Sequence, residues 1–415
     1  MSSLALLQKR DLRLYLIGRS ANHLAVLMQS VAVGWQVYAL TGDPVSLGWV
    51  GLAQFLPMLL LTLPAGDLAD RYDRRYLVAV SSVLLALCSG LLVAISWHPD
   101  PQSTWIYGAL ALFGVGRAIS APAARSFIPH LVTDDELPAA SALSATAFEI
   151  AVIAGPTLGG LLYLAGPTVV YGLCATLALF TTVCFAAIHT RPEATEHAST
   201  AVERVREGLA FMRGSPIVLG AIGLDLFAVL LGGAVALLPV FAADVLHVGT
   251  VGLGAMRTAP AVGALVVNLW IVRRPPERHV GVWMMAGVGL FGLATVGFGL
   301  SRNLWLSLAF LAVMGGADMV SVWVRSTLLP LATPRVMLGR VSAVEMLFIG
   351  ASNELGEFES GMTAGWFGTV PAVLLGGVGT LVVTGVWWVA FPALRRVDRF
   401  SDLTPRPPGL PPPRE

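Results

Sequence analysis

The chain has 415 residues, of which 56% are hydrophobic and only 12% charged, with a net charge of +1 at pH 7 and a mean hydropathy of +0.75. Soluble domains carry about a quarter charged residues, so a water-soluble globule is excluded. Near-neutral charge without a long basic tract argues equally against a nucleic-acid partner.

Lys9, Arg10 and Arg13 precede an apolar stretch that runs to Leu40 without a small-residue cleavage pattern, which reads as a retained first span. Long apolar runs bounded by charge, Pro and Gly then predict twelve helices: 13–40, 44–66, 76–97, 103–122, 138–164, 166–189, 216–243, 249–272, 279–300, 303–324, 337–363 and 369–393. Each is long enough to cross a bilayer, and in lipid the backbone must pair within its own segment, hence as helix. Of the 26 Lys and Arg residues, 22 fall in connections or at span ends on one side of this partition and Arg302 alone on the other; Arg19, Arg117 and Arg257 lie deeper within spans. That bias places both termini in the cytoplasm. It describes a multi-pass protein of a cell membrane, the bacterial inner or plasma membrane, with the lipid bilayer as its first partner.

The expected domains are an N-terminal six-helix bundle at 1–190, a cytoplasmic connection at 191–215, a C-terminal six-helix bundle at 216–397 and a disordered Pro-rich tail at 398–415. In the connection, Leu209, Phe211 and Met212 give the later part an amphipathic character, as in a short helix lying at the cytoplasmic surface. An offset of 200 aligns Gly116 with Gly316, Arg125-Ser126 with Arg325-Ser326, Leu131 with Leu331 and Thr133 with Thr333, the trace of an internal duplication. Two related bundles facing one another allow a central cavity to open alternately to each side. The fold class expected is therefore an all-α integral membrane protein of twelve transmembrane helices in two pseudo-symmetric six-helix bundles, monomeric.

Between spans 2 and 3 lies the sharpest local signal, Gly66-Asp67-Leu68-Ala69-Asp70-Arg71-Tyr72-Asp73-Arg74-Arg75. Asp70 suits a neighbouring helix N-terminus, and Arg71, Arg74 and Arg75 reach carboxylates or headgroups. Such a cluster works as a latch made in one conformation and broken in another; the alternative is a solvated positive-inside turn. This stretch resembles the Gly-x-Leu-Ala-Asp-Arg-x-Gly-Arg-Arg signature of the major facilitator superfamily, with Asp73 where the second glycine usually stands. Gly155-Pro156-Thr157-Leu158-Gly159-Gly160 in span 5 is similar to the helix-packing element of exporters in that superfamily, although Ala142 and Ala151 replace its upstream glycines. Arg117 is similar to the family arginine of span 4, for which the resemblance implies a part in proton coupling. The pattern looks most like the drug- and siderophore-efflux branch that contains the enterobactin exporter, and it implies a major facilitator fold.

Ionisable residues within spans are costly and are the default functional candidates. Burial raises a carboxylate's proton affinity and an adjacent arginine lowers it, so a carboxylate alternating between such surroundings picks up and releases protons. Glu149, near mid-bilayer with Arg117 as counter-charge on the preceding span, is read either as a transport residue or as a packing ion pair. Asp225 lies near the middle of span 7. Asp318, closer to the cytoplasmic end with Arg325 two turns on, leans towards a structural role. Span 11 carries Glu345, Glu354, Glu357 and Glu359; Glu354 and Glu357 share a face. The proton-coupling candidates are thus Glu149, Arg117, Asp225, Glu354 and Glu357. Asn22, Gln29, Trp35, Gln54 and Glu345 are candidates for the wall of a substrate cavity.

No phosphate-binding loop, nucleophile elbow or metal motif is present, and Cys88, Cys174 and Cys184 lie apart within hydrophobic runs. An enzyme, a cofactor and a metal are not expected. The function expected is secondary active transport: proton-coupled export of a small amphipathic molecule, siderophore- or drug-like. A lysophospholipid-type transporter or importer of the same superfamily is the nearest alternative, and a non-transporting membrane receptor or lipid-handling protein the alternative of another class.

Overall fold

A computed structural model describes residues 6–125, 127–190 and 201–403; at residues 63, 69–71, 121–125 and 201 it describes the backbone alone. Among the described residues there is no strand. The described residues form twelve long helices: α1 (Arg10–Thr41), α2 (Val45–Arg71), α3 (Arg74–Trp97), α4 (Ser103–Arg125), α5 (Leu137–Leu162) and α6 (Pro167–Ala186), then, after a shorter α7 (Ala201–Gly214), α8 (Pro216–Leu231), α9 (Gly249–Arg273), α10 (Val280–Leu300), α11 (Leu304–Ala332), α12 (Leu338–Phe367) and α13 (Thr369–Ala390). Local chemistry sets the ends. Gly42 takes a left-handed conformation (φ 63°) to close α1, and the Asn303 side chain caps the amides of Trp305 and Leu306 at the start of α11. Among the described residues, ten segments are long and apolar enough to cross a membrane; α12, with Arg340, Glu345, Glu354, Glu357 and Glu359, is the most heavily charged of the long helices.

The chain divides into two compact units, Met1–Ala201 with Val248–Thr258, and Val202–His247 with Ala259–Glu415. In the first, α2 packs on α4, α3 on α4 and α6, and α1 on α5 and α6. In the second, α10 packs on α11 and α13, and α8 on α12 and α13. These four repeat, displaced by one half, the first unit's pairings of α3 with α4 and α6 and of α1 with α5 and α6, the packing counterpart of the internal offset in sequence. The first unit's core gathers Met28, Val33, Leu92, Phe113, Tyr171 and Cys174; the second's gathers Val218, Leu224, Met284, Val324, Leu328 and Val344. All three cysteines are buried and unpaired.

Four sequence expectations change. The seventh span is not continuous: α8 ends at Leu231, and after Gly232 and Gly233 the chain resumes as a 3-10 turn at Ala234–Leu237 and a π-turn at Phe241–Val245. The tenth span, α11, runs to Ala332 rather than 324, which takes Arg325 out of the loop and into the helix. The apolar side of α7 is spent inside the protein: Met212 is buried, and Val205, Leu209 and Phe211 pack on the second unit's core. Gly208 lies against the Arg340 carbonyl and Val344 of α12, and Glu207 pairs with Arg340 at 2.7 Å. Finally, the presumed tail begins later. Phe400 and Leu403 pack on the same core, and Asp398 accepts the His279 amide at 2.9 Å; residues 404–415 lie outside those described, as do 191–200 of the connection.

At the first unit's edge, the Glu136 carboxylate, just ahead of α5, accepts Lys9 Nζ at 2.5 Å, the Thr133 amide at 3.0 Å and the Thr133 hydroxyl at 2.9 Å. The Lys9 ammonium foremost, then Thr133, holds this carboxyl down at about 2 against a usual 4.5. A depressed carboxylate stabilises fully above its unfolded value, so this staple is intact above 4.5 and fades as pH falls towards about 2. The protection of amides around Leu137, measured against the intrinsic exchange rate at each pH, should therefore fall on acidification below 4.5 in the native protein. In Glu136→Gln that protection should be low already at neutral pH and should not fall further with acid.

Candidate functional site

The second unit holds a buried ionic cluster. About two and a half turns from its N-terminus, α8 presents Asp225, 6% exposed among Leu224, Ile222 and Ala228. From α11 comes Arg325, 5% exposed, whose Nη1 pairs with Asp225 and whose Nε lies 3.2 Å from Glu345 of α12. One guanidinium thus ties three helices together, and its fixed fork suits two carboxylates at once. Asp318, also on α11, lies within electrostatic reach of both Asp225 and Arg325. Asp225 and Asp318 line one small cavity, closed by Ala228, Val229, Val288 and Phe291.

Sequence reasoning named Asp225 and Glu345 but placed them in different roles; the structure joins them through Arg325. The arginine itself was counted as a loop charge because the apolar run is broken by it after Val324. Its spacing from Asp318, seven residues and hence nearly the same helix face, did mark it as a partner of that residue, but nothing local linked it to Asp225 on α8 or Glu345 on α12. Glu354 is buried in α12 and Glu357 is half-buried; Glu359 accepts a hydrogen bond from Thr363 at 2.7 Å within the same helix.

In the first unit the candidates separate. Gln29 is 2% exposed: its Oε1 accepts the Ser89 hydroxyl at 2.6 Å and its Nε2 faces Cys88 Sγ at 3.6 Å. It belongs to the packed interior between α1 and α3 and not to a cavity wall, because both ends of its amide are taken. Asn22, Trp35 and Gln54 are half-buried, Gln54 donating to the Val50 carbonyl at 3.3 Å. Arg117 lies over the Phe113 ring, 5.8 Å from its centroid. The Arg117–Glu149 ion pair suggested by adjacent spans is not among those formed by the described residues; Glu149 sits half-buried on α5.

The charged turn is built differently from its expectation. Asp73, in place of the signature's second glycine, caps α3 by accepting the Arg75 amide at 2.9 Å and grips the same arginine through Nε at 3.0 Å and Nη2 at 2.6 Å. Arg75 reaches on to the Ile188 carbonyl beyond α6 at 2.6 Å, and Arg74 donates to His130 Nε2 at 2.8 Å. The turn is thereby pinned to the ends of α4 and α6 within one unit. Gly66 stands half-buried at the head of this segment; the side chains of Asp70 and Arg71 lie outside the described residues. Asp73→Ala should cost about 1 kcal/mol, the usual worth of an N-cap, and should loosen Arg75. A lowered unfolding midpoint with faster exchange at the α3 N-terminus would register it.

In the Gly155–Gly160 element each small residue has a distinct task. A side chain at Gly155 would meet Leu27, and one at Gly159 the Met28 backbone, both of α1. At Gly160 it would meet Thr250 and Gly254 of α9, while Gly254 in turn abuts the Pro156 carbonyl. Thr157 and Thr258 share a 2.8 Å hydroxyl contact beside them, and Arg257 donates to Ser30 of α1 at 3.0 Å. One helix surface therefore receives two neighbours at backbone distance.

The model of the transmembrane secretion effector family matches residues 1–413. The chain belongs to that family. It is a major facilitator superfamily transporter, not an enzyme, and a multi-pass membrane protein. The enterobactin exporter of Citrobacter koseri is 25% identical to it over 413 residues, covering 96% of this chain and 95% of the relative. That of Shigella dysenteriae serotype 1 is 25% identical over 391 residues, covering 89% and 85%. Among solved structures, the fold is that of a POT family transporter in complex with a thioalcohol-conjugated peptide (TM-score 0.73, 11% identity, 93% of this chain and 96% of that one). It is also that of a bacterial homologue of the human lysosomal transporter Spinster, inward-facing and occupied (TM-score 0.68, 14% identity, 98% and 99%).

Proposed function

We propose that this transporter exports a siderophore-like amphipathic small molecule across the bacterial inner membrane, with both termini cytoplasmic, and that a proton gradient drives it through the ionic cluster of the second unit. The family match and the enterobactin exporters at 25% identity support the cargo class. The proton is argued from one observation: Asp225, Glu345 and Asp318 gather around the single guanidinium of Arg325 within membrane helices. Three carboxylates and one cation carry a double negative charge if all are ionised, which low-dielectric surroundings penalise heavily. The cluster is relieved by binding a proton, and arginine stays charged throughout.

In this cycle the cargo enters from the cytoplasm against half-buried polar positions such as Asn22, Trp35 and Gln54. Proton entry from outside then favours the return to the cytoplasm-facing state. The turn from Gly66 to Arg75, with Asp70 and Arg71, serves as the conformational latch, and Arg117 and Glu149 tune the first unit. The test uses proteoliposomes of the purified protein with enterobactin as probe. An imposed pH gradient should drive its movement and an uncoupler should stop it. Enterobactin movement indifferent to the gradient would overturn proton coupling.

A further inference from the structure

The three carboxylates of the cluster are not equivalent. Arg325 engages Asp225 through Nη1 and Glu345 through Nε, so each of these faces a cation directly. Asp318 forms no ion pair among the described residues, yet it shares its small cavity with Asp225, a like charge. A carboxylate beside another carboxylate, with the common cation already taken, is the one most cheaply neutralised. Among the described residues that line this cavity there is no cation: α8 contributes Ala228 and Val229, and α10 contributes Val288 and Phe291; α9 meets the preceding turn of α11 through Pro260 and Val267. One turn after Asp318 on the same face stands Ser321, 1% exposed, whose hydroxyl has no hydrogen-bond partner among the described residues. A buried hydroxyl left in this way is normally satisfied by water or by a group that moves.

We propose that Asp318 is the residue that binds and releases the travelling proton, and that its ionisation pulls Arg325 away from Glu345. This rests on the proton-coupled reading above and assigns the proton within it. Neutral Asp318–COOH leaves the guanidinium to bridge Asp225 and Glu345, so α11 and α12 are tied. When the carboxyl gives its proton to water reaching the cavity, the resulting carboxylate competes for the same guanidinium; the two residues are seven apart, nearly in line on α11. The 3.2 Å bridge to Glu345, the more exposed of the two pairs, is the one given up. Proton occupancy is thereby converted into a contact between two helices.

Infrared difference spectra of the reconstituted full-length protein over a pH cycle test this without any cargo. The native protein should show a carboxylic acid C=O band that disappears as pH rises. The band should be lost in Asp318→Asn, kept in Asp318→Glu, and kept in Asp225→Asn and Glu345→Gln. In proteoliposomes, Asp318→Asn should lose pH-driven enterobactin accumulation while retaining exchange of labelled for unlabelled enterobactin. A band that survives in Asp318→Asn and vanishes in Asp225→Asn or Glu345→Gln overturns the assignment and leaves proton coupling standing. A native protein that shows the Asp318 band but no gradient-driven transport overturns the coupling and leaves the assignment standing.

Discussion

Replacing Arg325 with glutamine should lower the stability of the purified transporter by about 3–5 kcal/mol, the usual cost of removing one partner from a buried ion pair. The reason is the stranded charge rather than the lost attraction. Without the guanidinium, Asp225 and Glu345 face each other across α8, α11 and α12 with Asp318 close by. They must take up protons or admit water, and either loosens the contact between those helices. Adding Asp225→Asn to Arg325→Gln removes one stranded carboxylate and should recover a substantial part of the loss, a non-additivity expected of residues in one network. Thermal unfolding of the native protein, both single variants and the double variant completes the cycle. An Arg325→Gln protein as stable as the native one would show that the guanidinium contributes nothing net. The gap between native and variant should also narrow on acidification, since protonated carboxyls no longer need the cation.

Gly159→Val should be nearly as damaging through pure sterics. A first side-chain carbon there would lie 2.8 Å from the Met28 carbonyl oxygen and 3.0 Å from its Cα, and neither backbone atom can step aside without moving α1 off α5. Overpacking of this kind costs about 1–3 kcal/mol. Gly172 on α6 provides the control, because nothing lies within 4 Å of the carbon that alanine would add. Gly172→Ala should hold or raise the unfolding midpoint, as alanine in a helix is favoured over glycine by roughly 0.5–1 kcal/mol. Transport activity should stop in the first variant and persist in the second.

The membrane architecture was legible in the sequence because it rests on long-range averages. Apolar length, the asymmetry of Lys and Arg and an offset of 200 residues survive errors of several residues at any one helix end. The site was less legible because it depends on those ends. Placing the tenth span's end at 324 made Arg325 a loop residue, although it is the hub that links Asp225 to Glu345. Gln29 misled in the other direction. A polar residue in a membrane span suggests a cavity, but Ser89 and Cys88 on another helix satisfy it, and no local pattern announces that. Asp73 shows a third case: where the signature has a glycine, the structure uses a carboxylate to fix the turn, and the comparison with the signature does not announce that role.

Cys88, Cys174 and Cys184, every thiol in the chain, are at most 3% exposed. Polar maleimides should leave the native polypeptide essentially unmodified, so it already serves as a background for site-directed labelling. Fluorophores or spin labels at cysteines introduced on α11 and α12 would then report the spacing of those two helices alone, with no native thiol to remove first.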